Sequence, residues 1–124
     1  MTPLAQTVLD TGDESRPGNC LQAAVASLLD LPLGAVPHFV QVEADGGDHW
    51  MDGLVAFARG RGERLEPVWD QSPAGPGEHY LRFGRTVRGT YHATVYLDGE
   101  LAWDPHPSGA GLSEPGIGYA LRPA

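Results

Sequence analysis

The sequence has no lysine, a single cysteine and only short apolar runs. One cysteine cannot form an internal disulfide, so nothing in the composition indicates an oxidising compartment. No apolar run approaches the ~18 residues that a membrane-spanning helix requires. Residues 1–10 also lack the basic flank and the apolar core of a signal peptide. These absences predict a cytoplasmic protein without a membrane partner.

Basic residues are scarce in this acidic chain. It has 8 arginines against 16 acidic residues, which gives a formal net charge of −8. Nucleic-acid binding depends on clustered basic side chains, so this balance argues against that class of function. Three arginines, Arg82, Arg85 and Arg88, lie close together in the sequence. They are compatible with a small anionic ligand or with a carboxylate on a substrate.

Glycine and proline are abundant, with 17 and 11 of the 124 residues. This share is about twice the usual one and predicts many loops and turns. The length predicts one domain over residues 1–124. Apolar periodicity predicts helices over 20–30 and 48–61, a connection over 36–40, and strands over 63–68, 80–83, 92–97, 100–103 and 118–121. Helices followed by strands favour an α+β fold with an antiparallel sheet.

Cys20 lies where the first predicted helix begins. A turn that contains Pro17, Gly18 and Asn19 precedes it, and an alanine- and leucine-rich stretch follows it. The helix macrodipole favours a thiolate at this position, and the thiolate is the nucleophilic form of cysteine. Cys20 is therefore a candidate catalytic nucleophile. The alternative is an ordinary cysteine that fills the core as a small hydrophobic residue.

A catalytic thiol needs a base, and the base needs a group that orients it. His92 begins one strand of the hairpin predicted around Asp98-Gly99, and Asp104 follows the other strand. The two side chains therefore emerge at the open end of one hairpin. In the alternative interpretation, a backbone carbonyl satisfies His92, and Asp104 caps the turn that follows it.

The register of this hairpin decides whether the two side chains can meet. A strict two-residue turn without a bulge would place His92 and Asp104 on opposite faces. A three-residue loop or a bulge would pair Leu97 with Leu101 and place Thr94 opposite Asp104. His92 would then lie diagonal to Asp104 on the same face. A Cys-His-Asp site therefore predicts an irregular hairpin.

An acyl-transfer site also needs donors for an oxyanion. The backbone N–H of Cys20 is one candidate, since it lies at a helix start. A side-chain amide upstream would complete the pair, and the choice is between Gln6 and Asn19. We favour Gln6, because the turn before the helix uses Asn19.

Several segments resemble the papain-like cysteine peptidase superfamily, in particular its small bacterial and phage-type members. The resemblance covers residues 6–112. It rests on five pieces of sequence within this range: 18–20 with the helix that follows, 31–39, 80–84 with 88–89, 92–95 and 104–108. It implies a papain-like fold, with the cysteine-bearing helix packed on a small antiparallel sheet. It also implies Cys20 as nucleophile, His92 as base, Asp104 as the residue that orients His92, and Gln6 as oxyanion donor.

The chain departs from the papain pattern in two places. Gln6 and Cys20 are farther apart in the sequence than the corresponding residues of papain. Leu21 follows the cysteine, where papain-like peptidases often carry tryptophan. The implied function is hydrolysis of an amide or related acyl bond in a peptide or small amide, without a cofactor. Two alternatives stay open: an acyltransferase or cyclase that uses the same acyl-enzyme, and a non-catalytic binding module that keeps the fold.

Four further residues are expected to contact the substrate: Asn19, Arg88, Trp103 and His106. Trp103 could stack on the substrate or shield the thiol from water, and Arg88 could bind a substrate carboxylate or belong to a solvated turn. His106 could instead join Cys20 and its partners as ligands of a zinc ion. We favour the interpretation without a metal, in which His106 belongs to a rigid loop that forms a wall of the site.

Two loops rich in glycine and proline, 71–77 and 107–118, are expected to border the site. Trp50, Trp69 and Trp103 are predicted to lie in the core.

Overall fold

Helices occupy the first half of the chain and strands the second, in a computed structural model that describes residues 1–69 and 73–124. The helices of this part are α1 (Cys20–Leu28), α2 (Phe39–Ala44) and α3 (Trp50–Gly60), with a 3₁₀ turn at Leu33–Ala35. The strands are β1 (Glu63–Val68), β2 (His79–Arg85), β3 (Tyr91–Leu97), β4 (Glu100–Trp103) and β5 (Glu114–Pro123). No helix within the described ranges is long and apolar enough to cross a membrane.

The five strands form one antiparallel sheet in the order β1-β5-β2-β3-β4. The last strand therefore inserts between β1 and β2, which are consecutive in the sequence. This arrangement confirms the predicted α+β class and the antiparallel sheet. The predicted bounds of β1 and β4 are also confirmed, whereas β5 extends well beyond the predicted 118–121.

Helix α1 packs on the middle of the sheet. It contains no glycine or proline and is rich in alanine, which favours a helix. Ala24 and Val25 are fully buried in one apolar cluster with Leu81 of β2 and Val95 of β3. This contact holds the first residue of α1, Cys20, at the end of the sheet where β3 begins.

Three predictions about local structure are wrong. Helix α1 ends at Leu28 instead of residue 30, because Asp30 adopts a left-handed backbone with φ of 56°. Helix α2 begins inside the predicted connection 36–40, where Nδ1 of His38 accepts a hydrogen bond from the backbone of Gln41. Trp69 is 50% exposed and lies outside the core.

The hairpin between β3 and β4 turns tightly. Leu97 pairs with Glu100, so Asp98 and Gly99 form a two-residue turn. Both turn residues have positive φ, 51° and 81°, as the tightest hairpin turns require. The predicted pairing of Leu97 with Leu101 is therefore wrong.

A bulge follows this turn directly. The pairing shifts by one residue within β4, so that Val95 lies opposite Trp103 and Ala102 has no partner. The predicted bulge is confirmed, although it lies in the strand and not in the turn. One step further along the same register, Thr94 lies level with Asp104, as the Cys-His-Asp hypothesis requires.

Glycine is required at one position where the paired strands β2 and β5 approach each other closely. A Cβ at Gly84 would overlap the backbone carbonyl of Glu114, whereas a Cβ at Gly60 would meet no atom within 4 Å. We expect Gly84→Ala to lower the free energy of unfolding by at least about 2 kcal/mol, because the two backbones must separate. Gly60→Ala is the matched control and should be neutral or stabilising by up to about 1 kcal/mol. Chemical denaturation measures both, and equal stabilities would contradict this account of the β2–β5 contact.

Candidate active site

Cys20 is half-buried and lines a cavity of about 630 Å³. It is the first residue of α1, and Asn19 occupies the position before it. The first amides of a helix have no partner within the helix, and a side chain at this position usually accepts from one of them. The side chain of Asn19 makes no such bond. Cys20 therefore lies beside first-turn N–H groups that no cap from Asn19 satisfies.

The carboxylate of Asp104 is buried and receives three hydrogen bonds. Oδ1 accepts from Nε2 of His92 at 2.6 Å and from the backbone N–H of His106 at 2.9 Å. Oδ2 accepts from the backbone N–H of Gly111 at 2.8 Å. Gly111 has a φ of 69°, which favours glycine at the position that supplies this amide.

His92 connects this carboxylate to the thiol. Its side chain is only 4% exposed, and Nε2 is occupied by Asp104. The thiol of Cys20 lines the same cavity and lies close enough to the ring to raise the pKa of His92. Because Nε2 is occupied, Nδ1 is the nitrogen available to the thiol. Cys20, His92 and Asp104 thus form one chain of contacts.

Burial and hydrogen bonds together set the charges of His92 and Asp104. Burial lowers the pKa of His92, but the hydrogen bond to Asp104, the proximity of Cys20 and the charge of Asp104 raise the pKa to about 9. Burial raises the pKa of Asp104, but the hydrogen bonds from His92, His106 and Gly111 bring it below its ordinary value. A protonated imidazole therefore lies beside an ionised carboxylate at neutral pH.

Gln6 lies in the lining of the same cavity and is 9% exposed. Its Nε2 donates one hydrogen to the carbonyl of Val8 at 2.9 Å, which leaves the second amide hydrogen available. Its Oε1 is buried without a hydrogen-bond partner among the described residues. The backbone N–H of Gln6 donates to the carbonyl of Pro105, directly after Asp104. The structure therefore brings Gln6 to the cavity that holds Cys20 and His92.

Asn19 and Trp103 are not part of the cavity lining. Oδ1 of Asn19 accepts from the backbone N–H groups of Thr7 and Val8 at 2.9 and 2.8 Å. Nε1 of Trp103 donates to the carbonyl of Leu4 at 2.9 Å. Both side chains hold the N-terminal segment that carries Gln6, so a direct contact of either with substrate stays a prediction.

Arg88 and His106 do line the cavity. One guanidinium nitrogen of Arg88 donates to Oγ of Ser108 at 3.2 Å. Nδ1 of His106 accepts from the backbone N–H of Ser108 at 3.0 Å. Ser108 thus ties together two of the predicted substrate-binding residues.

An apolar wall, which the sequence did not predict, forms another part of the cavity lining. Its members come from α1, the α2–α3 region and the sheet: Leu21, Val40, Trp50, Phe83 and Tyr91. Trp50, which is predicted as a core residue, is half-buried and packs against the core cluster, and it also lines the cavity. Leu21 and Tyr91 are sequence neighbours of Cys20 and His92, which is the one signal that could have found them.

The two predicted border loops behave differently. Gln71 and Ser72 lie outside the described residues, and residues 73–77 do not line the cavity with Cys20. Pro73, Ala74 and Pro76 line a second cavity instead, beside Trp69. Residues 107–118 do not line the cavity either, but Ser108 bonds to Arg88 and His106, and Gly111 bonds to Asp104.

Among residues 1–69 and 73–124, no group of three or more His, Cys, Asp or Glu side chains is placed to hold a metal ion. Nothing in this part of the chain supports the alternative in which His106 acts as a zinc ligand. No protein-family model, curated protein or solved structure matches the chain. The interpretation of the site therefore rests on its own geometry.

The ion pair between His92 and Asp104 should make stability depend on pH. The pKa of His92 is raised from 6.5 to about 9, so its contribution is complete below pH 6.5 and is lost as the pH rises to 9. The pKa of Asp104 is lowered, so its contribution is lost as the pH falls below about 4. The stability advantage over His92→Gln should shrink by on the order of 2 kcal/mol between pH 6.5 and 9.

Denaturant unfolding at several pH values measures this difference. His79→Gln is the control, because His79 does not line the cavity. An advantage over His92→Gln that stays constant between pH 6.5 and 9 would contradict the raised pKa of His92.

Proposed function

We propose that the protein is a papain-like cysteine hydrolase that cleaves an amide or related acyl bond. The observation that carries this proposal is the position of His92, which is buried, bonded to Asp104 at 2.6 Å and adjacent to the thiol of Cys20. A base held by a carboxylate beside a nucleophile is the arrangement that acyl-transfer chemistry requires.

The first half of the reaction forms an acyl-enzyme. Sγ of Cys20 attacks the carbonyl carbon as a thiolate, and the carbonyl oxygen gains the negative charge. The backbone N–H of Cys20 and the second hydrogen on Nε2 of Gln6 stabilise this oxyanion. His92 then gives its proton to the leaving nitrogen, the C–N bond breaks, and the acyl group stays on Cys20 as a thioester.

Water completes the cycle. Neutral His92 removes a proton from water, and the resulting hydroxide attacks the thioester carbon. The C–S bond breaks, the acid product leaves, and the thiolate–imidazolium pair is restored. Asp104 keeps Nε2 protonated and the ring in place through both halves. This is why its three hydrogen bonds matter for the chemistry.

The cavity supports a modest substrate. Its volume of about 630 Å³ falls in the range of small-molecule sites, so it accommodates a few residues of a peptide or a small amide. The apolar wall offers a surface for an aromatic or aliphatic acyl group. The assignment to the papain-like superfamily is part of the same proposal, supported by the α1 helix that carries Cys20 and packs on the sheet that carries His92.

Alkylation of Cys20 by iodoacetamide at pH 6 tests the nucleophile. We expect rapid labelling by mass spectrometry, because imidazolium at His92 stabilises the reactive thiolate. His92→Ala should slow the reaction by at least about tenfold, and Asp104→Asn should slow it less. His79→Ala is the matched control and should change nothing. Labelling only above pH 8, at a rate that His92→Ala leaves unchanged, would refute the proposal.

Turnover is tested with p-nitrophenyl acetate. We expect acetylation of Cys20 and its hydrolysis, both lost in Cys20→Ala. Gln6→Ala should slow acylation by about 10- to 100-fold, because one oxyanion donor is removed. It should leave iodoacetamide labelling nearly unchanged, since that reaction forms no oxyanion. Equal losses in both assays would show instead that Gln6 supports only the folded site.

A further inference from the structure

We propose that the leaving group of the substrate carries a carboxylate, which Arg88 and His106 bind beside His92. The substrate would then be a chain that ends in a free carboxylate next to the cleaved amide, so that an amino acid or a very short carboxy-terminal fragment is released. This inference rests on the proposed function, because it takes the leaving side of the cavity from the role of His92.

Arg88 carries a charge that no carboxylate neutralises within the described residues. Arg61, Arg64 and Arg122 each form an ion pair with a glutamate. Arg88 instead donates to the neutral hydroxyl of Ser108 at 3.2 Å. This bond orients the guanidinium at the cavity and leaves its other N–H groups for a ligand.

His106 supplies a second donor at the same place. Its Nδ1 accepts from the backbone N–H of Ser108 at 3.0 Å and lies 2.9 Å from the Ser108 hydroxyl. With Nδ1 used as an acceptor, the ring hydrogen is on Nε2, which becomes a donor. Burial and the neighbouring charge of Arg88 lower the pKa of His106, against the attraction of Asp104. His106 therefore acts as a neutral N–H donor.

The separation of the two histidine rings is short enough for one small leaving group to reach both. The ring centroids of His92 and His106 are 6.2 Å apart and the rings are nearly perpendicular. His92 must reach the leaving nitrogen to protonate it. In an amino acid the carboxylate carbon lies about 2.5 Å from that nitrogen. A carboxylate on the His106 side of His92 would also lie near Arg88, since Ser108 contacts both His106 and Arg88. The guanidinium would bind it in a charge-assisted contact.

The rest of the protein offers no general attraction for anions. With a formal charge of −8, the molecule as a whole repels them. A preference of the thiol for an anionic reagent therefore reports a local site. Arg85 provides a matched control, because it is exposed, lies three residues before Arg88 and does not line the cavity.

The test compares two electrophiles that differ only at one end, N-iodoacetylglycine and N-iodoacetylglycinamide. We measure the rate at which each reagent alkylates Cys20 and divide the rate of the carboxylate by the rate of the carboxamide. This ratio is then normalised by the same ratio measured for the thiol of glutathione. The expected normalised ratio is at least about fivefold in favour of the carboxylate and falls with added salt. Arg88→Gln should reduce it to about one, Arg88→Glu should invert it, and Arg85→Gln should leave it unchanged.

A second assay uses N-acetylated peptides as a mixed library, in a free-carboxylate form and a carboxamide form. We expect release of the carboxy-terminal residue from the first form and at least about tenfold slower release from the second. Arg88→Gln should raise KM for the carboxylate form more than it lowers kcat, since it removes binding and not chemistry.

The outcomes separate this inference from the proposed function. Fast, His92-dependent labelling by iodoacetamide with a normalised ratio of one or less would overturn the carboxylate site and keep the hydrolase. A preference that Arg85→Gln abolishes as fully as Arg88→Gln would also overturn it, because the effect would then be general charge. Slow labelling by every reagent, unaffected by His92→Ala, would overturn both.

Discussion

The buried carboxylate of Asp104 is the constraint on which the rest of the site depends. An ionised group in the interior is costly unless hydrogen bonds replace its lost water, and here three donors do so. One of them is the ring of His92, whose position next to Cys20 follows from this bond. The other two are amides of the loop after β4, so the loop must fold as it does for Asp104 to remain charged. The bulge at Ala102 also helps to join Asp104 to His92. It shifts the register of β4 so that Asp104 lies level with Thr94, on the strand that carries His92.

A second set of contacts brings the N-terminal segment to the same point. Asn19 accepts from two backbone amides of that segment, Trp103 donates to a third residue, and Gln6 itself bonds to the loop after Asp104. The amide of Gln6 thus lies near Cys20 although 14 residues separate them in the sequence. Cys20 is the first residue of α1, so its own N–H has no acceptor within the helix.

Local signals in the sequence predict the parts of this site that depend on short-range geometry. The pair Asp98-Gly99 predicts the hairpin, the alanine-rich stretch predicts α1, and the requirement that His92 and Asp104 share a face predicts the bulge. The parts that were missed depend on contacts between distant residues. Trp103 bonds to Leu4, 99 positions away, and no periodicity reveals such a contact. Helix α2 is only six residues long, too short to show a helical pattern.

Cys20 and Asp104 together keep His92 protonated, and an NMR titration of the His92 ring tests this. The account predicts a pKa of about 9 in the native protein. A clearly lower pKa is expected in Cys20→Ala, because Cys20 is one of the neighbours that raise it, and a lower pKa again when Asp104→Asn is added. A value near 6.5 in the native protein that Cys20→Ala leaves unchanged would contradict the account.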